Sequence, residues 1–104
     1  INDRYQFDKP TKKFVDELFK STIKNADSLD KKIESSLENW TLERINIIDR
    51  LIMQMSICEM SLMQHYEISH KVTISSAIEN AKKFSSEDST AFVNGVLDSV
   101  YKKL

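Results

Sequence analysis

One glycine, Gly95, and one proline, Pro10, in 104 residues leave this chain few means of making tight turns. Average usage supplies roughly 7 Gly and 5 Pro per hundred residues, and sandwiches, barrels and glycine-cradled phosphate folds draw on them at every corner. Those architectures are excluded, and the pattern that remains is helical. Leu, Ile, Val and Phe number eight, eleven, five and five. That share is enough to fill one small core and above the level at which chains stay disordered.

Apolar spacing predicts five helices. The first runs from Lys12 to about Ala26, with Phe14, Val15, Leu18, Phe19 and Ile23 on one face and Pro10 and Thr11 at its start. Ile1 to Lys13 reads as a polar lead-in. A short second helix from Asp27 or Ser28 to Leu37 steps through Leu29, Ile33 and Leu37. Between Trp40 and Tyr66 the apolar residues thicken around the helix and mark it as the buried centre of a bundle. His65 to Lys71 reads as a connector. Thr73 or Ser75 then caps a helix ending near Phe84, and Ser85 or Ser86 caps the last. Glu87 and Asp88 fall in that helix's first turn, where the dipole favours negative charge, ahead of a stripe from Phe92 to Leu104. The expected fold is an all-α bundle of one domain.

Charge and cysteine usage narrow the function. Residues 1–52 carry ten basic and ten acidic side chains and residues 53–104 five and six, so neither half offers a bulk basic surface. The lone Cys58 has no disulfide partner and lies in the most apolar helix, where a thiol packs as a small hydrophobe. Cys58, Glu59, His65, Glu67 and His70 do not assemble into an active site: the two histidines are five apart, off the i, i+4 spacing of a helical metal pair. They read as solvent-exposed connector residues. No enzyme activity, metal or other cofactor is expected. No run approaches a membrane span, and the chain reads as cytoplasmic. Met53, Met55, Met60 and Met63 fall at core spacing, although methionines also build adaptable partner grooves. Gly95 inside the last helix costs helix stability, and close approach of another helix backbone would explain it. Spacing alone makes Phe92 a core residue and Lys82 and Lys83 a solvated pair.

Three runs carry a resemblance: Lys71-Val72-Thr73-Ile74, Ala77-Ile78-Glu79-Asn80-Ala81-Lys82-Lys83-Phe84, and Glu87-Asp88-Ser89 followed by Phe92-Val93-Asn94-Gly95-Val96-Leu97-Asp98. Together they closely resemble the C-terminal part of NusB-family proteins. Asn39-Trp40 through Asp49-Arg50 to Cys58-Glu59 is similar to the family's central helix. The resemblance covers about residues 14–104 and implies an all-helical fold of two small packed bundles. It also implies a transcription antitermination factor that binds single-stranded boxA RNA with a small-subunit ribosomal protein acting as NusE, and so joins the RNA polymerase antitermination complex on ribosomal RNA operons.

By that resemblance the turn before the last helix and its first residues contact RNA. This maps onto Asp88, Ser89 and Phe92, with Lys82 and Lys83 as phosphate contacts. Phe92 then becomes a stacking surface for an unpaired base. A carboxylate repels phosphate, so Asp88 should cap the helix, shape the turn or accept hydrogen bonds from base amino groups. Asp49 maps onto a central-helix carboxylate facing the ribosomal-protein partner. Three departures stand out: no arginine-rich first helix appears in Ile1 to Lys13, Gln54 replaces an arginine, and Ser75-Ser76 replace an Asn-Glu pair. The first implies that the family's leading helices are missing, which would weaken independent RNA binding and expose an apolar face open to self-association. Two alternatives are the RNA-targeting domain of a ribosomal RNA cytosine-5 methyltransferase, against which the ending at Leu104 argues, and a helical module binding protein only, through the Met-rich helix and Asp49.

Overall fold

The structure is a computed structural model that describes residues 9–38 and 41–104. Five α-helices account for most of it: α1 (Lys9–Lys24), α2 (Ala26–Glu34), α3 (Ile47–Leu62), α4 (His70–Phe84) and α5 (Glu87–Lys102). Single 3-10 turns at Leu42–Arg44 and Gln64–Tyr66 flank α3, and no strand occurs among the described residues. The polar lead-in before Lys9 and the Asn39-Trp40 pair lie outside the described residues.

Local chemistry sets most of the ends. The side chain of Asn46 accepts from Ile48 N at 2.8 Å and caps α3. Ser69 does the same for α4, accepting from Lys71 N, so that helix starts three residues before the expected cap Thr73. Thr73 is buried instead and donates to Glu59 Oε1 at 3.0 Å, joining α4 to α3. Ser86 caps α5 through Ser89 N. The α1–α2 junction has no such cap: the Asn25 amide turns back to donate to Ser21 O, and α2 opens without a side-chain acceptor. Helical hydrogen bonding thus passes through Asn25 with only a bend, where the sequence suggested a fresh start at Asp27 or Ser28.

The core is where α3, α4 and α5 meet. Met53, Ile57, Cys58 and Met60 of α3 pack with Ile74, Ala77 and Ala81 of α4 and Val93, Val96, Leu97 and Val100 of α5. Leu29 and Ile33 close it from α2, and Leu18 closes it from α1. Between α2 and α3 runs a polar tie: Arg50 forks onto both oxygens of Asp30 at 3.2 and 2.6 Å, and Gln54 donates to Asp30 Oδ1 at 2.6 Å. Gln54 therefore shares one carboxylate with Arg50. The middle of α1 is held by Glu17, which accepts from Tyr66 and pairs with His65, and by Phe14 set edge-on against Tyr66.

Four expectations need correction. Val15, Phe19 and Ile23 are exposed, because α1 buries Leu18 and Thr22 and turns its other apolar edge outward. The central helix is buried on one side only, with Ile47, Leu51, Met55 and Leu62 open to solvent. His70 is not a free connector residue: it starts α4 and stacks on Tyr101 of α5 with ring centres 3.7 Å apart. Gly95 is exposed, and a Cβ placed there would meet no described atom within 4 Å, so no helix backbone crosses it.

Candidate nucleic-acid interface

The turn from α4 to α5 is built from Ser85 and Ser86, and its geometry follows from hydroxyl chemistry. Ser89 donates its single hydroxyl proton to Asp49 Oδ2 at 2.8 Å. Its oxygen therefore accepts from Ser85 and Ser86, 3.1 and 3.0 Å away. The chain of hydroxyls fastens the turn to the first turn of α3, forty residues earlier in sequence. Asp49 itself is 5% exposed. Its outer role is thus limited, and its visible task is to receive Ser89. Its second oxygen, Oδ1, is buried with no hydrogen-bond partner among the described residues.

Around this anchor lies a pocket of about 400 Å3 lined by Arg44, Ile45, Asn46, Asp49, Asp88, Ser89 and Phe92. Asp88, Ser89 and Phe92, named from the sequence for RNA, share it with Asp49, named for a protein partner. The two sets belong to one place. Lys82 and Lys83 are exposed in the last turn of α4 and do not line the pocket. They stand just before the serine turn, with Phe84, which is 67% exposed, beside them. Asp88 is not the cap, since Ser86 takes that position; its exposed carboxylate lies in the first turn of α5.

Phe92 is half-buried, packs against the core, and also lines a second depression with Ser36, Leu37, Glu38, Ala91, Gly95 and Val96. Phe92 therefore belongs to the lining of both hollows. Gly95, lacking a side chain, helps to keep the second one open. Arg44, Ile45 and Asn46 were not singled out in the sequence as site residues. Asn46 carried a signal, a capping residue directly before the apolar run Ile47-Ile48, but only the fold shows that this cap faces the serine turn.

Elsewhere the chemistry is quiet. No group of three or more His, Cys, Asp and Glu side chains among the described residues could hold a metal ion. Burial pushes the Cys58 thiol up from its ordinary value, which keeps it protonated and unreactive. Burial likewise raises the carboxyl of Glu59, against the opposing hydrogen bond from Thr73. No described helix is long and apolar enough to cross a membrane.

These features define a small all-helical bundle whose α4–α5 turn is pinned to the central helix beside two hollows that share Phe92. A profile of the NusB family matches residues 2–102, and the chain belongs to that family. Over 90 residues it is 43% identical to the transcription antitermination protein NusB of Bacillus mycoides strain KBAB4 and 42% identical to that of Bacillus cereus strain B4264. In each case the match covers 86% of this chain and 68% of the relative. Among solved structures it is similar to T. maritima NusB, with a TM-score of 0.86 and 32% identity over 95% of this chain and 68% of that one.

Proposed function

We propose that this chain is an RNA-binding transcription antitermination factor that works in the cytoplasm on boxA-like single-stranded RNA of ribosomal RNA operons, together with a NusE-type ribosomal protein. Phe92 carries the reading: a half-buried aromatic residue in the early turns of α5 that lines two hollows sits where an unpaired base can pack against apolar surface. Stacking on aromatic rings tolerates sequence and needs no basic groove. That suits a surface whose cations are few: Lys82 and Lys83 near the turn and Arg44 at the pocket. Asp88 and Ser89 would order the turn and meet base edges, leaving phosphate to the lysines.

The ribosomal-protein partner would supply the attraction that a near-neutral chain lacks. The apolar side chains exposed on α1 and α3, among them Phe19, Ile23, Leu51 and Met55, favour a protein partner in addition to RNA.

Anisotropy of labelled boxA-like RNA, titrated with the chain alone and with the NusE-type protein at two salt concentrations, tests the reading. Binding that tightens with the partner, weakens steeply with salt and is lost in Phe92→Ala supports it. Partner binding that persists without any RNA binding would leave a protein-only module.

A further inference from the structure

Leu18 and Thr22 are the residues that α1 turns to the core, and the Thr22 hydroxyl meets the Cys58 thiol of α3. To one side of that contact, Glu17 and Phe14 face Tyr66, just beyond the C-terminal end of α3. The other edge of α1 steps by four through Val15, Phe19 and Ile23 and so looks toward the N-terminal half of α3. There Leu51 and Met55, which share a helix side with Cys58, are left uncovered. The result is an apolar angle between two helices, with Phe19 61% and Ile23 62% exposed along its rim. A monomeric domain rarely leaves so continuous an apolar surface in water.

We infer that this face binds a second copy of the chain. The two α1 helices lie antiparallel about a two-fold axis near Phe19, so that each Phe19 enters the angle between α1 and α3 of the other copy. The order of charges selects this occupant. On the outer flank of the apolar stripe Asp16 precedes Lys20 by one helical turn, and both are exposed. An antiparallel mate sets each Asp16 against the other copy's Lys20, whereas a parallel mate sets like against like. The face is therefore complementary to itself, as a two-fold interface requires. The net charge of -1 leaves two copies little mutual repulsion to overcome.

The size of the face sets the strength. With 16 residues α1 is about 24 Å long. With α3 packed roughly 9 Å beside it, the face covers on the order of 500 Å2 per copy. Two such faces remove about 1,000 Å2 from solvent, the lower bound for a specific interface, so the dimer forms at micromolar concentrations and above.

This association is independent of the RNA reading. Leu51 stands two residues after Asp49 and so on nearly the opposite side of α3 from the carboxylate that holds Ser89. Two copies joined through Phe19 thus keep both serine turns clear. A NusE-type protein is the competing occupant, and the self-complementary order of Asp16 and Lys20 favours the second copy over it.

Sedimentation equilibrium of the full chain without RNA, from about 1 μM to about 300 μM, tests the inference. The weight-average mass is expected to move from that of one chain toward that of two. Phe19→Glu should hold it at one chain throughout. Asp16→Lys and Lys20→Asp should each weaken association about fivefold, and an equimolar mixture of those two variants should recover it, because mixing restores opposite charges across the interface. All three positions are exposed, and circular dichroism checks that each variant folds. Should Phe19→Glu fail to fold, the two charge variants and their mixture decide. The mass of a single chain at every concentration overturns the inference. Association that survives Phe19→Glu, or that ignores the charge variants, assigns self-contact to another surface and also overturns it. A chain that stays single, and whose binding to the NusE-type protein is lost in Phe19→Glu, gives the face to that protein instead.

Discussion

Gly95 is the residue whose sequence reading and surroundings diverge most. In a helix interior glycine costs about 1 kcal/mol relative to alanine, and open space around its missing Cβ shows that packing does not require it. Gly95→Ala is therefore expected to raise stability by about 1 kcal/mol in urea unfolding. If the second hollow beside Phe92 takes part in RNA binding, the same methyl lowers affinity there, so stability and binding would move in opposite directions. Glu59 behaves conversely to an ordinary surface carboxylate. Because burial raises its folded-state value, ionisation opposes folding: the cost is absent below the ordinary glutamate value of about 4.3 and grows as pH rises toward the folded-state value. Glu59→Gln keeps an oxygen for Thr73 to donate to. Calorimetry should show a higher Tm for it at pH 7 and no gain at pH 4.

At the scale of elements, the joints between helices carry the specificity of the fold. Ser86→Ala removes the α5 cap and one hydroxyl of the chain leading to Asp49, and should cost about 1 kcal/mol in chemical denaturation. The joint of α2 and α3 is electrostatic. Burial raises the Asp30 carboxyl, but the hydrogen bonds from Arg50 and Gln54 and the Arg50 charge outweigh it and hold the group below the usual range. A depressed folded-state value means stability that is complete above the unfolded value of about 3.9 and lost as pH falls through the lowered one. Arg50→Ala should cost about 1–2 kcal/mol at pH 7, allowing for solvent screening at the part-exposed guanidinium, and the deficit should shrink in acid melts as Asp30 protonates. Helix existence was legible in the sequence because Ile74-Ala77-Ile78-Ala81 and Val93-Val96-Leu97-Val100 repeat at helical spacing. What escaped it was orientation: periodicity identifies an apolar edge on α1 but does not say that Leu18 and Thr22 turn inward while Phe19 and Ile23 turn out. Thr73 illustrates the same limit, since a threonine at a helix start reads as a cap until Glu59 of another helix is found beside it.

For the molecule as a whole, α3 is the helix that touches all the others, and α5 is the one that closes the core over it. It packs on α2, α3 and α4, and Leu97 at its middle is fully buried. Leu97→Ala should cost about 2–5 kcal/mol, a large share of the stability of a domain this size, and should lower the urea midpoint of unfolding. The candidate site was legible only in part for the same reason. Asp88, Ser89 and Phe92 are adjacent in sequence and came as a group. Asp49 and Arg44 reach them only because α3 and α5 cross in the fold.

The anchoring of the serine turn by Asp49 also has a temporal side. On the ribosome Asp49 emerges well before Ser89, and α3 forms with its carboxylate unclaimed while the helix that will claim it is still being made. Core and pocket are thus finished by the same late event, the docking of α5, and a nascent chain stalled before that helix would expose both the apolar faces of α3 and α4 and an unsatisfied acidic group. Quality control that recognises exposed apolar surface would therefore remove chains that lack the pocket along with those that lack the core.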